Sequence, residues 1–508
     1  MASSETQHHR LQWEESQDGV WVRDIDECET FYNHLIRSGE GCYPVTACAA
    51  FVVEPSAVKT TNHSEERRIE DTLRKAWKLL HYDHPSLRSY VERNADDGRW
   101  RRIYSTFRNK DDEQRWLDST FKVIDADGDP LHWFNNTSAP FKISTLFLIK
   151  PKESGKYQRH VFLRSPHDIT DGVGVLQLLN NLFNHAALVY QQGIQLILPA
   201  WGNEHEMLSP CLHHVTEIPE TFTESQTERF KEIQTNNGST YTHPGLLSLP
   251  ASSKSTTSEP GNRQRVALSV PKSTTEKILH SCKAVAPGVS VTHVFTSALA
   301  LALSELQPKK EEPYTVRYAN QSMINLRPLC RDPYNTPKHA AAAYHNVSAQ
   351  ALGIDLTVPA STDANNGHDA NQLPRIAIQV RDYFNTIRPT SPKDENIIFA
   401  PLVFKSLTPP LGLDPHAVSD TPFCPVPLSS IGNISSMVSP KHGPFELTNV
   451  WAASEPIGAG VAVFLTSWDG RIGLSGVFDT RYHNTEYIEK FLERILACAL
   501  KGLNIDEP

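Results

Sequence analysis

Apolar positions recur along this chain at two periods, and the two kinds of stretch alternate. Phe141, Ile143, Phe147 and Ile149 occupy odd positions of 141–149 with Lys142 and Ser144 between them, which predicts a strand. Ile69, Leu73, Trp77 and Leu80 fall at helical spacing in 67–80, behind Glu65 and Glu66, which suit the positive end of a helix dipole. A second helical stripe runs through Val175, Leu178, Leu179, Leu182, Phe183 and Ala186. The stretch after Ser290 (Val294, Phe295, Ala298, Leu299, Ala302) is apolar and uncharged, which predicts a centrally buried helix. Near the end, 471–477 reads as a strand and is followed by a helix through Ile488, Phe491, Leu492, Ile495, Leu496 and Ala499. The fold class is therefore mixed α/β.

Two polar, low-complexity stretches interrupt this pattern: 251–264, rich in Ser and Thr, and 358–373, which reads as a surface insertion. The first divides 508 residues into two parts, 1–250 and 265–508, each long enough for its own core. No window holds the roughly 18 consecutive apolar residues of a membrane-spanning helix. The N-terminal segment lacks the apolar core of a secretory signal, and the eight cysteines include no CxxC pair. A cytoplasmic protein with free, mostly buried thiols is expected. The net charge of −9, with 58 acidic against 49 basic residues, argues against a nucleic-acid partner.

Chemistry concentrates in 159–183. Val161 to Leu163 reads as a buried strand that ends at Ser165-Pro166, because proline withholds a ladder donor and restricts the residue before it. His167-Asp168-Ile169-Thr170-Asp171-Gly172 follows, and the apolar helix starts at once. An imidazole at the strand-to-helix turn of an α/β fold can take a proton from a hydroxyl near neutral pH and return it to a leaving group. Asp171 can fix the loop by pairing with a cation or by accepting N–H groups at the helix start. Gly172 and Gly174 permit close approach. Taken alone, a His beside an Asp-Gly turn is ordinarily a surface or capping feature.

The HxxxDG pattern from His167 to Gly172 resembles the signature of the CoA-dependent acyltransferases, which include the plant BAHD enzymes, chloramphenicol acetyltransferase and condensation domains. Other segments agree in order: His84-Pro85-Ser86-Leu87-Arg88; Trp201-Gly202-Asn203-Glu204 with Leu208-Ser209-Pro210; Ile324-Asn325-Leu326-Arg327-Pro328-Leu329; and Tyr344-His345-Asn346-Val347. The Trp201 and Leu208 segments are similar to those of fungal members such as trichothecene 15-O-acetyltransferase, which points to fungal secondary metabolism and mycotoxins.

The resemblance implies two chloramphenicol-acetyltransferase-like lobes with a tunnel between them and His167 as general base. It implies Asp171 paired with a cation, for which Arg327 is the expected partner, and Gly172 as loop support. It implies an oxyanion or substrate donor at Ser429 or Ser430, in the region 427–434 where the BAHD DFGWG motif is missing. The expected reaction moves an acyl group, acetyl for instance, from acyl-CoA as co-substrate to a small-molecule alcohol. No further cofactor, metal or covalent intermediate is expected, and the protein should act as a monomer. One tunnel mouth should then be locally basic despite the acidic chain.

Two alternatives stand beside this reading. An acyl carrier protein could be the donor, releasing a polyketide or peptide as ester or amide, although the double His of condensation domains is absent because Pro166 precedes His167. A non-acylating member could bind or cyclise a small molecule. His205, Glu206, Cys211, His213 and His214 have no zinc-site spacing, and Pro210 interrupts them. No GxSxG elbow, Walker A loop or GxGxxG after a strand is present, which argues against a serine hydrolase, an NTPase and a dinucleotide enzyme.

Overall fold

Ile69, Leu73, Trp77 and Leu80 are fully buried on one face of helix Asn62–Asp83, and the Val175-to-Ala186 stripe is buried on helix Gly172–Gln192. In the computed structural model, which describes all residues except 1–8, 38–40, 55–61, 127–128, 139, 152–157, 253–260, 363–371, 418–421 and 507–508, both helices cover one face of a six-stranded sheet. Its strands run in the order Lys441–His442, Phe445–Ser454, Pro44–Val53, Arg159–Pro166, Thr145–Pro151 and Phe121–Ala126. Only the last pair is parallel.

A second sheet has the order Leu428–Asn433, Ala462–Trp468, Arg471–Asp479, Arg263–Ser269. Its outer face is covered by helices Val291–Glu305 and Thr485–Gly502, both following the apolar stripes of the sequence. Its inner face meets the first sheet. Phe464 and Val477 pack there against Cys48, Phe162 and Trp451, so helices flank two facing sheets and the lobes share one seam. A smaller sheet, Glu14–Gln17, Val20–Asp24, Trp100–Ser105 and Tyr90–Arg93, carries arginines that reach the site.

Three details depart from the sequence pattern. The strand expected over 141–149 begins only at Thr145. Phe141 lies before it, with the Arg164 guanidinium 4.6 Å from its ring, so the alternation runs on into a loop whose apolar side chain has its own partner. Strand Arg263–Ser269 starts inside the polar stretch 251–264, while 253–260 and most of the insertion at 358–373 lie outside the described residues. Strands Lys441–His442 and Phe445–Ser454 come from the C-terminal part of the chain yet complete the first sheet, with Trp451 opposite Cys48. Among the described residues no helix is long and apolar enough to cross a membrane.

Candidate active site

Strand Arg159–Pro166 ends where Pro44 stands opposite Pro166, and the next amide, of His167, donates to the Tyr43 carbonyl at 2.8 Å. That bond turns the chain and delivers the imidazole into an aromatic chamber. The Tyr32 ring stacks on it at 4.1 Å and 10°, Tyr43 lies at 6.1 Å and His345 at 5.8 Å. His167 is only 5% exposed, and burial, aided by the His345 charge, pushes its pKa down to about 3. The ring is therefore neutral at physiological pH. Hydrogen bonding to the backbone at His167 and Thr170 opposes this shift without cancelling it.

Asp171 turns away from the chamber. It caps helix Gly172–Gln192 by accepting from the amides of Val173 and Gly174, and its Oδ2 accepts the Tyr344 amide at 3.0 Å. Arg327 Nη1 donates to both carboxylate oxygens, at 2.6 and 2.5 Å, while its Nη2 donates to the Ala342 carbonyl. Burial alone would raise the Asp171 pKa; Arg327 and His345 outweigh it and hold the carboxyl well below the usual range. The expected partner of Asp171 is thus the residue it meets. Helix and loop close so tightly that a Cβ on Gly174 would stand 2.5 Å from the Ala340 carbonyl and 2.6 Å from Arg327 Nη2. A Cβ on Gly172 would meet nothing nearer than Ile431 at 3.9 Å, so close approach needs glycine at 174 but not at 172.

Tyr32 and His345 were not singled out as site residues by the sequence. Tyr32 OH lies 2.8 Å from His345 Nε2, and His345 Nδ1 lies 3.6 Å from Asp171 Oδ2. Tyr32 rides on helix Glu27–His34, whose first turn is fixed by a capping box between Asp26 and Glu29. Glu29 then receives Arg23 at 2.6–2.7 Å and Arg102 at 2.7 Å, and Arg102 donates onward to Asp168 at 2.7 Å. Burial opposes ionisation of Glu29, but Arg102 and Arg23 hold its pKa down to about 2. A buried Arg–Glu–Arg–Asp chain therefore ties the Tyr32 helix to the loop that carries His167.

The other expected residues separate. On strand Leu428–Asn433, Ser429 pairs with Phe464, whose side chain faces the seam; Ser430 is on the opposite side, exposed, with its Oγ 2.8 Å from Thr292 Oγ1. Of the two possible donors only Ser429 shares the seam face. The segments around Arg88 and Glu204 meet each other, with Glu204 accepting from Tyr104 and Thr106 at 2.6 Å and Arg88 3.7 Å away. His205 stacks on Trp21 and His213 bonds to Glu27, away from any shared centre.

The chain matches no protein-family model. It is 24% identical to the acetyltransferase pigO of Monascus ruber over 97% of this chain and 99% of that one. In structure it is similar to the trichothecene 15-O-acetyltransferase of Fusarium sporotrichioides, with a TM-score of 0.79, 14% identity and coverage of 97% and 98% of the two chains. The first condensation domain of the CDA synthetase follows with a TM-score of 0.59, 13% identity and coverage of 94% and 96%. The chain therefore has the fold shared by that 15-O-acetyltransferase and the condensation domains.

Proposed function

We propose that this chain is an acyl-CoA-dependent O-acyltransferase that transfers an acyl group, acetyl in the simplest case, to a hydroxyl of a small secondary metabolite. The observation that carries this reading is a buried, neutral His167 whose neighbouring carboxylate is committed to Arg327. In this reading Nε2 removes the acceptor proton as the alcohol oxygen attacks the thioester carbonyl. The C–O bond forms, the oxyanion is met by a donor for which Ser429 is the proposed residue, and the C–S bond breaks. The proton on His167 passes to the departing CoA sulfur, and no acyl group is held on the protein. The acetyltransferase names of the relatives support acetyl as donor group.

The test is incubation of purified protein with acetyl-CoA and a fungal metabolite extract, followed by mass spectrometry of products and assay of free CoA. His167→Ala is expected to lower transfer by roughly 100- to 10,000-fold. Transfer at a near wild-type rate in that variant removes the proposed mechanism. Likeness to a condensation domain favours a second reading, a carrier-borne donor. Competition between acetyl-CoA and an acetylated carrier protein separates the two.

A further inference from the structure

Helix Asn62–Asp83 turns Ile69, Leu73, Trp77 and Leu80 toward the first sheet, so Lys78, Leu79 and Tyr82 lie on its other side. There a cavity of about 480 Å³ opens between this helix, the loop at Phe107 and the segment ending at Trp201. None of Tyr32, Tyr43, His167 and His345 lines it, so it is separate from the chamber of the candidate active site. Its size falls in the range of roughly 300–1,000 Å³ that small-molecule sites occupy.

Three half-buried rings wall the cavity. Trp201 stands edge-on to Phe107 at 4.8 Å and 90°, and Tyr82 lies 5.6 Å from Trp201. Among the described residues, neither the Tyr82 hydroxyl nor Trp201 Nε1 has a hydrogen-bond partner. The rings are half-buried because they pack on a cation from behind. Arg88 is 8% exposed, and its guanidinium lies 3.6 Å from the Phe107 ring and 4.8 Å from that of Trp201.

The rim is positive, although the whole chain carries −9. Lys78, Arg108 and Lys110 line the cavity together with a single acid, Glu113, and Glu113 is paired with Lys78. Arg108 and Lys110 are exposed and form no ion pair with any described residue. Asp111 and Asp112 follow on helix Lys110–Thr120 without lining the cavity, and Asp112 is paired with Arg115. Aromatic faces rimmed by charge of one sign mark a ligand groove and suit a flat apolar body that carries an anion. Of the common anions, a carboxylate also matches the two-pronged donor geometry of a guanidinium.

We propose that this cavity is a binding site for a planar aromatic carboxylate, with its rings against Trp201, Phe107 and Tyr82 and its carboxylate between Arg108 and Lys110. The site does not depend on the acyl-transfer reading, and its test is of binding alone.

Binding of 1-naphthoate and of its neutral analogue 1-naphthamide is measured by calorimetry on the full-length protein at low and high salt. Wild type is expected to prefer naphthoate. The double variant Arg108→Gln/Lys110→Gln changes two exposed side chains and should lose about three- to tenfold in naphthoate affinity at low salt, less at high salt, with naphthamide unaffected. The double variant Lys277→Gln/Lys283→Gln removes the same charge from exposed positions of helix Lys272–Val285 and should bind as wild type does. Trp201→Leu should weaken both probes by about tenfold; if it does not fold, the charge variants still decide. Absence of saturable naphthoate binding, equal affinity for the two probes in wild type, or equal losses in the two double variants overturns the proposal.

Discussion

The phenol of Tyr32 lies parallel to the imidazole of His167, 4.1 Å away, while its hydroxyl is fixed by His345. The stack sets the plane of the His167 ring, and the hydrogen bond sets the plane of the stack. Tyr32→Phe keeps the ring and loses the bond, which is worth about 1 kcal/mol, so kcat is expected to fall about fivefold. Tyr32→Ala removes the ring as well and should cost a further order of magnitude, with KM for acetyl-CoA little changed. Equal rates for wild type and Tyr32→Ala would sink this role for the stack.

Asp171 and Arg327 are both enclosed, with side chains 6% and 3% exposed. Arg327→Met leaves a buried carboxylate without its cation and should destabilise the protein by about 3–5 kcal/mol. The Asp171 carboxyl has its folded pKa held below the unfolded value, so its contribution is present above roughly pH 4 and is lost as pH falls through the folded value. Asp171→Asn should therefore melt at a lower temperature than wild type at pH 7, and the gap should narrow in acid. Chemical denaturation at pH 7 and pH 3.5 checks both statements.

Burial lowers nine of the described histidines, seven of them far: His167 to about 3, His84, His293, His339, His416 and His483 each to about 4, and His81 well below its ordinary value. Each binds a proton in the unfolded chain near pH 6.5 and in the folded chain only far below it, so stability present above pH 6.5 is lost as pH falls toward 4. Asp26, raised by burial and its acidic neighbours to about 6, and His213, raised by Glu27, work in the opposite sense, but they are two groups against seven. The melting temperature should drop steeply between pH 6.5 and 4.5, and the acid limb of kcat/KM should follow unfolding rather than protonation of His167. A melting temperature that is flat over that range contradicts the prediction.

Gly174→Ala places a methyl group against the Thr170 hydroxyl and the Ala340 carbonyl, which are bonded to each other at 2.8 Å, and against Arg327, which is held by Asp171. A loss of about 1–3 kcal/mol and of most activity is expected. Gly172→Ala, two residues earlier, has open space and should be close to wild type in both respects. Thermal melts and initial rates of the two proteins side by side test the contrast.

The helices and the loop that carries His167 were legible because periodicity and turn chemistry are local. The Val175 stripe, the proline stop at Pro166 and the capping position of Asp171 all lie within one stretch of about 25 residues. Arg327 was reached only through the resemblance, since its meeting with Asp171 spans 156 positions. Tyr32 escaped because nothing in its own neighbourhood marks it, and His345 was seen only as part of a matching segment without a role; both places arise when a helix near the N-terminus and a short strand beyond residue 340 close around His167. The difference between Ser429 and Ser430 depends on strand phase, which two adjacent serines do not reveal until the pairing with Phe464 is known.

Strand Phe445–Ser454 lies between Lys441–His442 and Pro44–Val53 in the first sheet. On the ribosome, the strand that must cover the Pro44–Val53 edge is made some 400 residues after that edge emerges. Until then a chain segment as apolar as Val45 to Phe51 presents unpaired amides and carbonyls, the surface on which chaperones and misassembly compete. The first lobe therefore cannot finish folding while the protein is being translated, and a gene cut at the polar stretch 251–264 would not yield two self-sufficient halves.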